Sequence, residues 1–80
     1  MNSLELAIKI LANSMQIDRS LLEAETELLG NFPEFNSLTI VGVVNAIEEE
    51  LDCVVEDDEI GTDIFGTVGD LAQFIESKSE

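Results

Sequence analysis

Three stretches of this chain repeat their apolar residues at the 3.6-residue period of an α-helix, and this periodicity constrains the fold more than any other feature. In residues 3–15, Leu4, Ala7, Ile8, Leu11 and Met15 fall on one stripe, with Asn2 or Ser3 placed to cap it and Glu5 three residues after Asn2. In residues 37–51 the stripe is Ile40, Val43, Val44, Ile47 and Leu51. Its β-branched content would also suit a strand, but the segment's length and its "EEEL" ending favour a helix. The third stretch, "TVGDLAQFIESK", sets Thr67 and Asp70 in a capping-box pattern and aligns Val68, Leu71, Ala72 and Ile75, with Phe74 flanking. A short fourth element, about one turn, is expected around Asp57 to Ile60. The expected fold is all-α: a small four-helix bundle with three main helices, one short helix and a long first loop, residues 1–80 forming a single domain.

That first loop, from Gln16 to Phe35, has weaker periodicity. Its "LLEAETELLG" can hold a helical turn or two before Gly30 and Pro33 break it. Loops of this length are uncommon in compact domains unless side chains pin them or they serve a purpose. Leu21, Leu22, Leu28, Leu29 and Phe32 are the candidate pins.

Composition sets what the surface can bind. Of 80 residues, 45% are apolar, enough for a core and for a stability on the order of 4 to 12 kcal/mol. Eighteen acidic residues against Lys9, Arg19 and Lys78 leave a net charge of −15, which repels phosphate backbones and anionic lipid head groups. Nucleic acid and membrane insertion are therefore not expected, and proteins with Lys and Arg patches are the natural partners. The core content points to a folded monomer, and since the amphipathic start, "LELAIKILA", does not resemble a signal peptide, a cytoplasmic location is expected. Cys53 is the lone cysteine, flanked by acids that disfavour its thiolate, and reads as a half-buried filler.

The residue inventory also limits chemistry. The chain has no histidine, and its cysteine has no partner base, so nucleophilic triads and the usual metal-ligand sets are missing and no enzyme is expected. Acidic pairs such as Asp57 and Asp58 read as solvated surface. Eight acids lie between Glu48 and Glu59, but without the ordered spacing of a calcium loop; only loose cation association is expected there, and no metal site.

What remains is Ser37. Stepping about 100° per residue along its helix puts the buried stripe near about 300°, Leu38 near about 100° and Val41 near about 40°, on the side of Ser37, Asn45, Glu48 and Glu49. Two apolar residues beside a serine, rimmed by acids, form either a docking surface or a face buried under the long loop. The helix start favours an anion such as a phosphodiester on Ser37, but a hydroxyl without a base is a poor nucleophile, so a separate enzyme would have to attach the group.

"NSLTIVGVVNAIEEELD" resembles the signature segment of the acyl carrier protein family, a modified serine followed by Leu and an acidic recognition helix. The likeness covers nearly the whole chain, including "TELLG", "VVEDDE" and "TVGDLAQFIESK". It implies that Ser37 receives a covalent 4'-phosphopantetheine whose thiol carries acyl groups as thioesters, for fatty-acid, polyketide or related specialised synthesis. It further implies that Asn36, Leu38, Val41, Glu48 and Glu49 meet a phosphopantetheinyl transferase and acyl-processing enzymes with basic docking patches. By the same analogy, a growing acyl chain retreats among side chains such as Val43 and Val44. Asn36 stands where the family usually has Asp, and Thr39 and Gly42 stand where acids are common, which points to a specialised carrier. The alternative is an acidic helical adaptor that binds basic proteins without a prosthetic group.

Overall fold

A computed structural model of the chain describes residues 2–32 and 35–79. The expected helices form: α1 spans Ser3–Met15, α2 spans Ser37–Leu51 and α3 spans Val68–Ser79. Short 3-10 turns at Arg19–Leu21, Asp57–Glu59 and Thr62–Phe65 complete the architecture, and among the described residues there is no strand beyond one isolated antiparallel bridge between Glu27 and Thr67. The all-α bundle with a long first loop is thus as expected, and its short fourth element falls at Asp57–Glu59. The Thr62–Phe65 turn has no helical period and was not anticipated.

Each helix start is closed by a side chain. Asn2, rather than Ser3, caps α1: its Oδ1 accepts from the Leu4 and Glu5 N–H groups at 3.0 and 3.2 Å. Thr67 and Asp70 complete a reciprocal box at α3, each side-chain oxygen accepting the other's N–H at 3.1 Å. α1 and α2 end alike, on left-handed Gln16 (φ 56°) and Asp52 (φ 51°). The next N–H then reaches back five residues, Ile17 to Ala12 and Cys53 to Glu48, sharing the carbonyl that the cap residue's own N–H already engages.

The buried face of α1 is broader than its predicted stripe. Leu6, Ile10 and Ala12 are buried along with Ala7, Leu11 and Met15, while Leu4 and Ile8 are only partly covered. The reason is packing on two sides, extensively against α3 and less so against α2. On α2, Val43, Val44 and Ile47 are buried, with Ile40 and Leu51 at the margin. The predicted face of α3 is buried as read, with Phe74 flanking.

The loop from Gln16 to Asn36 forms no α-helix among its described residues; its one helical turn, Arg19–Leu21, comes earlier than "LLEAETELLG" suggested. The backbone spends its hydrogen bonds on α3's approach instead: Leu28 N–H on Gly66 O, Val68 N–H on Thr26 O and Gly69 N–H on Ala24 O, at 3.0, 3.0 and 2.8 Å. A Cβ on Gly69 would lie 3.0 Å from the Ala24 carbonyl oxygen, so glycine lets the chains cross there without either giving way. Of the expected pins, Leu22 and Leu28 are buried and Phe32 partly so, but Leu21 and Leu29 face solvent. Phe35 is the pin that periodicity did not show. It is buried against Phe65, ring centroids 5.4 Å apart and tilted by 56°. Gly30, at φ +81°, ends the run as expected, while Pro33 lies outside the described residues.

Candidate functional site

The start of α2 follows directly from Phe35, whose burial fixes the point from which the helix departs. Asn36 caps it, Oδ1 accepting from Thr39 N–H at 3.1 Å and its carbonyl from Ile40 N–H at 2.9 Å. Ser37 therefore occupies the first helical position, exposed, with no acidic residue in the first turn. A neutral cap and an acid-free first turn put no carboxylate of their own against the positive end of the helix dipole, which suits a phosphate on the Ser37 hydroxyl.

Leu38 is 82% exposed and Val41 56%, so the long loop does not cover them. Together with Ser37 and Glu49 they form an open face of α2. Glu48 differs from the other predicted contacts. It is half-buried, and its Oε2 accepts the Val55 N–H at 2.9 Å, clamping the chain that follows α2 back against the helix.

That clamp helps form a groove of about 520 Å³ lined by Ser37, Ile40, Val41, Val44, Asn45, Glu48, Val55 and Ile60. One wall is the face of α2 and the other is supplied by Val55 and Ile60. Val44 lines it as the sequence suggested, but Val43 does not: it is wholly enclosed in the core. Val55 and Ile60 were missed because they come from an irregular segment with no period to read. In the structure Val54 is 67% exposed and Val55 8%, the alternation of an extended chain that two adjacent valines do not display in sequence.

Beyond Val55, the Asp57–Glu59 turn is closed by reciprocal bonds between Glu56 and Glu59. Glu59 N–H donates to Glu56 O at 3.0 Å, and Glu56 N–H to Glu59 Oε2 at 2.9 Å. Lys78, from the last turn of α3, reaches both oxygens of Glu59 at 2.9 and 3.0 Å. The Glu56 amide and then Lys78 hold the Glu59 carboxyl below its usual range, and the Glu59 carboxylate raises Lys78. Among the described residues no cluster of His, Cys, Asp or Glu is arranged to hold a metal ion, and no helix is long and apolar enough to cross a membrane.

The described residues thus form a helical bundle with an exposed serine at a helix start, opening beside a largely apolar groove. Comparison with family models and with curated proteins gives no match. Comparison with solved structures does: the solution NMR structure of a holo acyl carrier protein from Nitrosomonas europaea superposes with a TM-score of 0.85 at 41% identity, over 98% of this chain and 96% of that one. The chain belongs to the acyl carrier protein family, whose members are carriers and not enzymes.

Proposed function

We propose that residues 1–80 act as one acyl carrier domain, with acyl intermediates held as thioesters on a 4'-phosphopantetheine arm esterified to Ser37. The observation that carries this reading is the exposed Ser37 hydroxyl at the mouth of a groove walled by Ile40, Val41, Val44, Val55 and Ile60. When bound, the arm supplies a thiol. The protein's own residues do the rest. Asn36 fixes the helix start, the first-turn amides and dipole favour the phosphodiester, and the groove excludes water from an apolar chain. The one carboxylate among the groove-lining residues, Glu48, sits about three turns along α2 from Ser37 and is engaged with Val55. Proton removal therefore falls to a transferase acting from outside.

Leu38 and Val41 supply apolar contact for that transferase and for acyl-processing enzymes, and Glu49 supplies charge for their basic patches. Asn36 offers a neutral hydrogen-bonding group where these partners approach. Glu48 contributes negative charge to the same face while holding the groove wall. The carrier works as a cytoplasmic monomer in fatty-acid, polyketide or a related specialised acyl synthesis, and the absence of acids at Asn36, Thr39 and Gly42 favours the specialised case. Intact mass tests the reading. Co-expression with a broad-specificity transferase adds one phosphopantetheine to the wild type and none to Ser37→Ala. An unmodified wild type would instead support an acidic adaptor that binds basic proteins unaided.

A further inference from the structure

We propose that Lys78, at the far end of the chain from the serine, is a positioning residue that sets the aperture of the groove by tethering its outer wall; the acyl half of this proposal rests on the carrier reading. The wall is carried by the segment from Cys53 to Gly61. Among the described residues, the backbone of the Asp57–Glu59 turn packs closely against none of the helices, whereas the next turn, Thr62–Phe65, packs on α3. Side chains must therefore hold the wall in place. On the α2 side the anchors are buried Val55 and the Glu48 carboxylate on its amide. On the far side Ile60 packs partly buried against the core, and Glu59 just before it accepts from both the Glu56 amide and the Lys78 ammonium.

One carboxylate thus closes the turn and ties it to α3. Glu56, Asp58 and Glu59 repel one another, and Lys78 is the cation that α3 brings to them. Lys9 pairs with Glu50 at 3.7 Å, away from this segment. Removing the ammonium leaves the Glu59 carboxylate to hold the turn alone, so the bonds it makes within the turn open more often and the turn swings away from α3, taking Ile60 with it and widening the groove.

The test has two arms. In the unmodified protein, Lys78→Met speeds amide exchange at Glu56, Glu59 and Val55 by about two- to five-fold, as expected for a partly exposed ion pair, with amides of α1 unaffected and Lys78→Arg restoring protection. In protein loaded with an acyl thioester, Lys78→Met speeds hydroxylamine cleavage of an octanoyl chain by a similar factor and leaves an acetyl chain, too short to reach Ile60, unchanged. Unchanged exchange at the three amides would overturn the tether. Faster exchange with octanoyl and acetyl esters cleaved alike would overturn its control of the groove. Failure of Ser37 to accept the arm would refute the carrier reading and the acyl half with it, while the exchange arm still decides the tether.

Discussion

Glu48 separates a residue that meets partners from one that holds the fold. Sequence periodicity places Glu48 and Glu49 together on an open acidic face, where reversing both charges should weaken partner binding and leave the fold intact. The structure changes that expectation, because the Glu48 carboxylate accepts the Val55 amide at 2.9 Å in a half-buried setting. A hydrogen bond to a charged group is worth about 1.5 to 3 kcal/mol, and partial exposure brings this toward about 1 to 2 kcal/mol. For a domain of this size that is about 5 to 15 °C in melting temperature, out of a total stability on the order of 4 to 12 kcal/mol. Deleting any acid from a chain of net charge −15 also relieves repulsion, so the control is Glu49→Ala, an exposed acid one position on. Thermal melts followed by far-UV circular dichroism should show Glu49→Ala at or slightly above wild type. Glu48→Ala should fall well below it, and Glu48→Gln, which keeps an acceptor oxygen, should lie between. Equal melting temperatures for the two alanine variants would refute the clamp. With the clamp established, only Glu49→Lys cleanly reports on docking, by weakening binding to a basic partner in a salt-dependent way.

Gly42 is exposed within α2, and a Cβ there meets nothing within 4 Å, so Gly42→Ala should stabilise the protein by about 0.8 to 1 kcal/mol in a denaturant titration. Leu28 is fully buried, and Leu28→Ala should cost about 2 to 5 kcal/mol and make the first loop the earliest site of proteolytic nicking. The Lys78–Glu59 pair predicts a pH signature. Glu59 is depressed from 4.5, so its contribution is full above that value and is lost as pH falls through the folded value below it. Lys78 is raised from 10.5, so its contribution is full below that value and is lost as pH climbs through the folded value above it. The difference in melting temperature between wild type and Lys78→Met should therefore be flat from about pH 5 to 10 and shrink on either side. Divalent cations should raise the melting temperature beyond sodium at matched ionic strength by relieving the acidic repulsion, and equal responses would reject loose cation association.

The helices were legible because amphipathic periodicity and capping residues are local signals. Thr67 and Asp70 form their box as read, and Asn36 caps α2 with Ser37 just inside it. The wheel also separated Leu38 and Val41 from the buried stripe correctly. The irregular segments were less legible, since burial there depends on distant parts of the chain. Nothing near Phe35 announces that Phe65 completes its packing, and nothing near Leu29 says that it faces water while Leu28 is enclosed. The groove's second wall and the Glu48 clamp were hidden for a related reason. The left-handed residue Asp52 turns the chain back along α2, and its aspartate side chain gives only a weak hint of that conformation.

Because Asp52 reverses the chain, the groove-lining residues among those described all fall from Ser37 to Ile60. The compartment is therefore a contiguous cassette, while the Phe35–Phe65 contact and the α1–α3 packing that support it lie outside that stretch. Substitutions within this one stretch reshape the groove, with Val44 and Val55 tying its walls to the core they also belong to. Transplanting this insert between homologous carriers should transfer the preferred cargo length along with it.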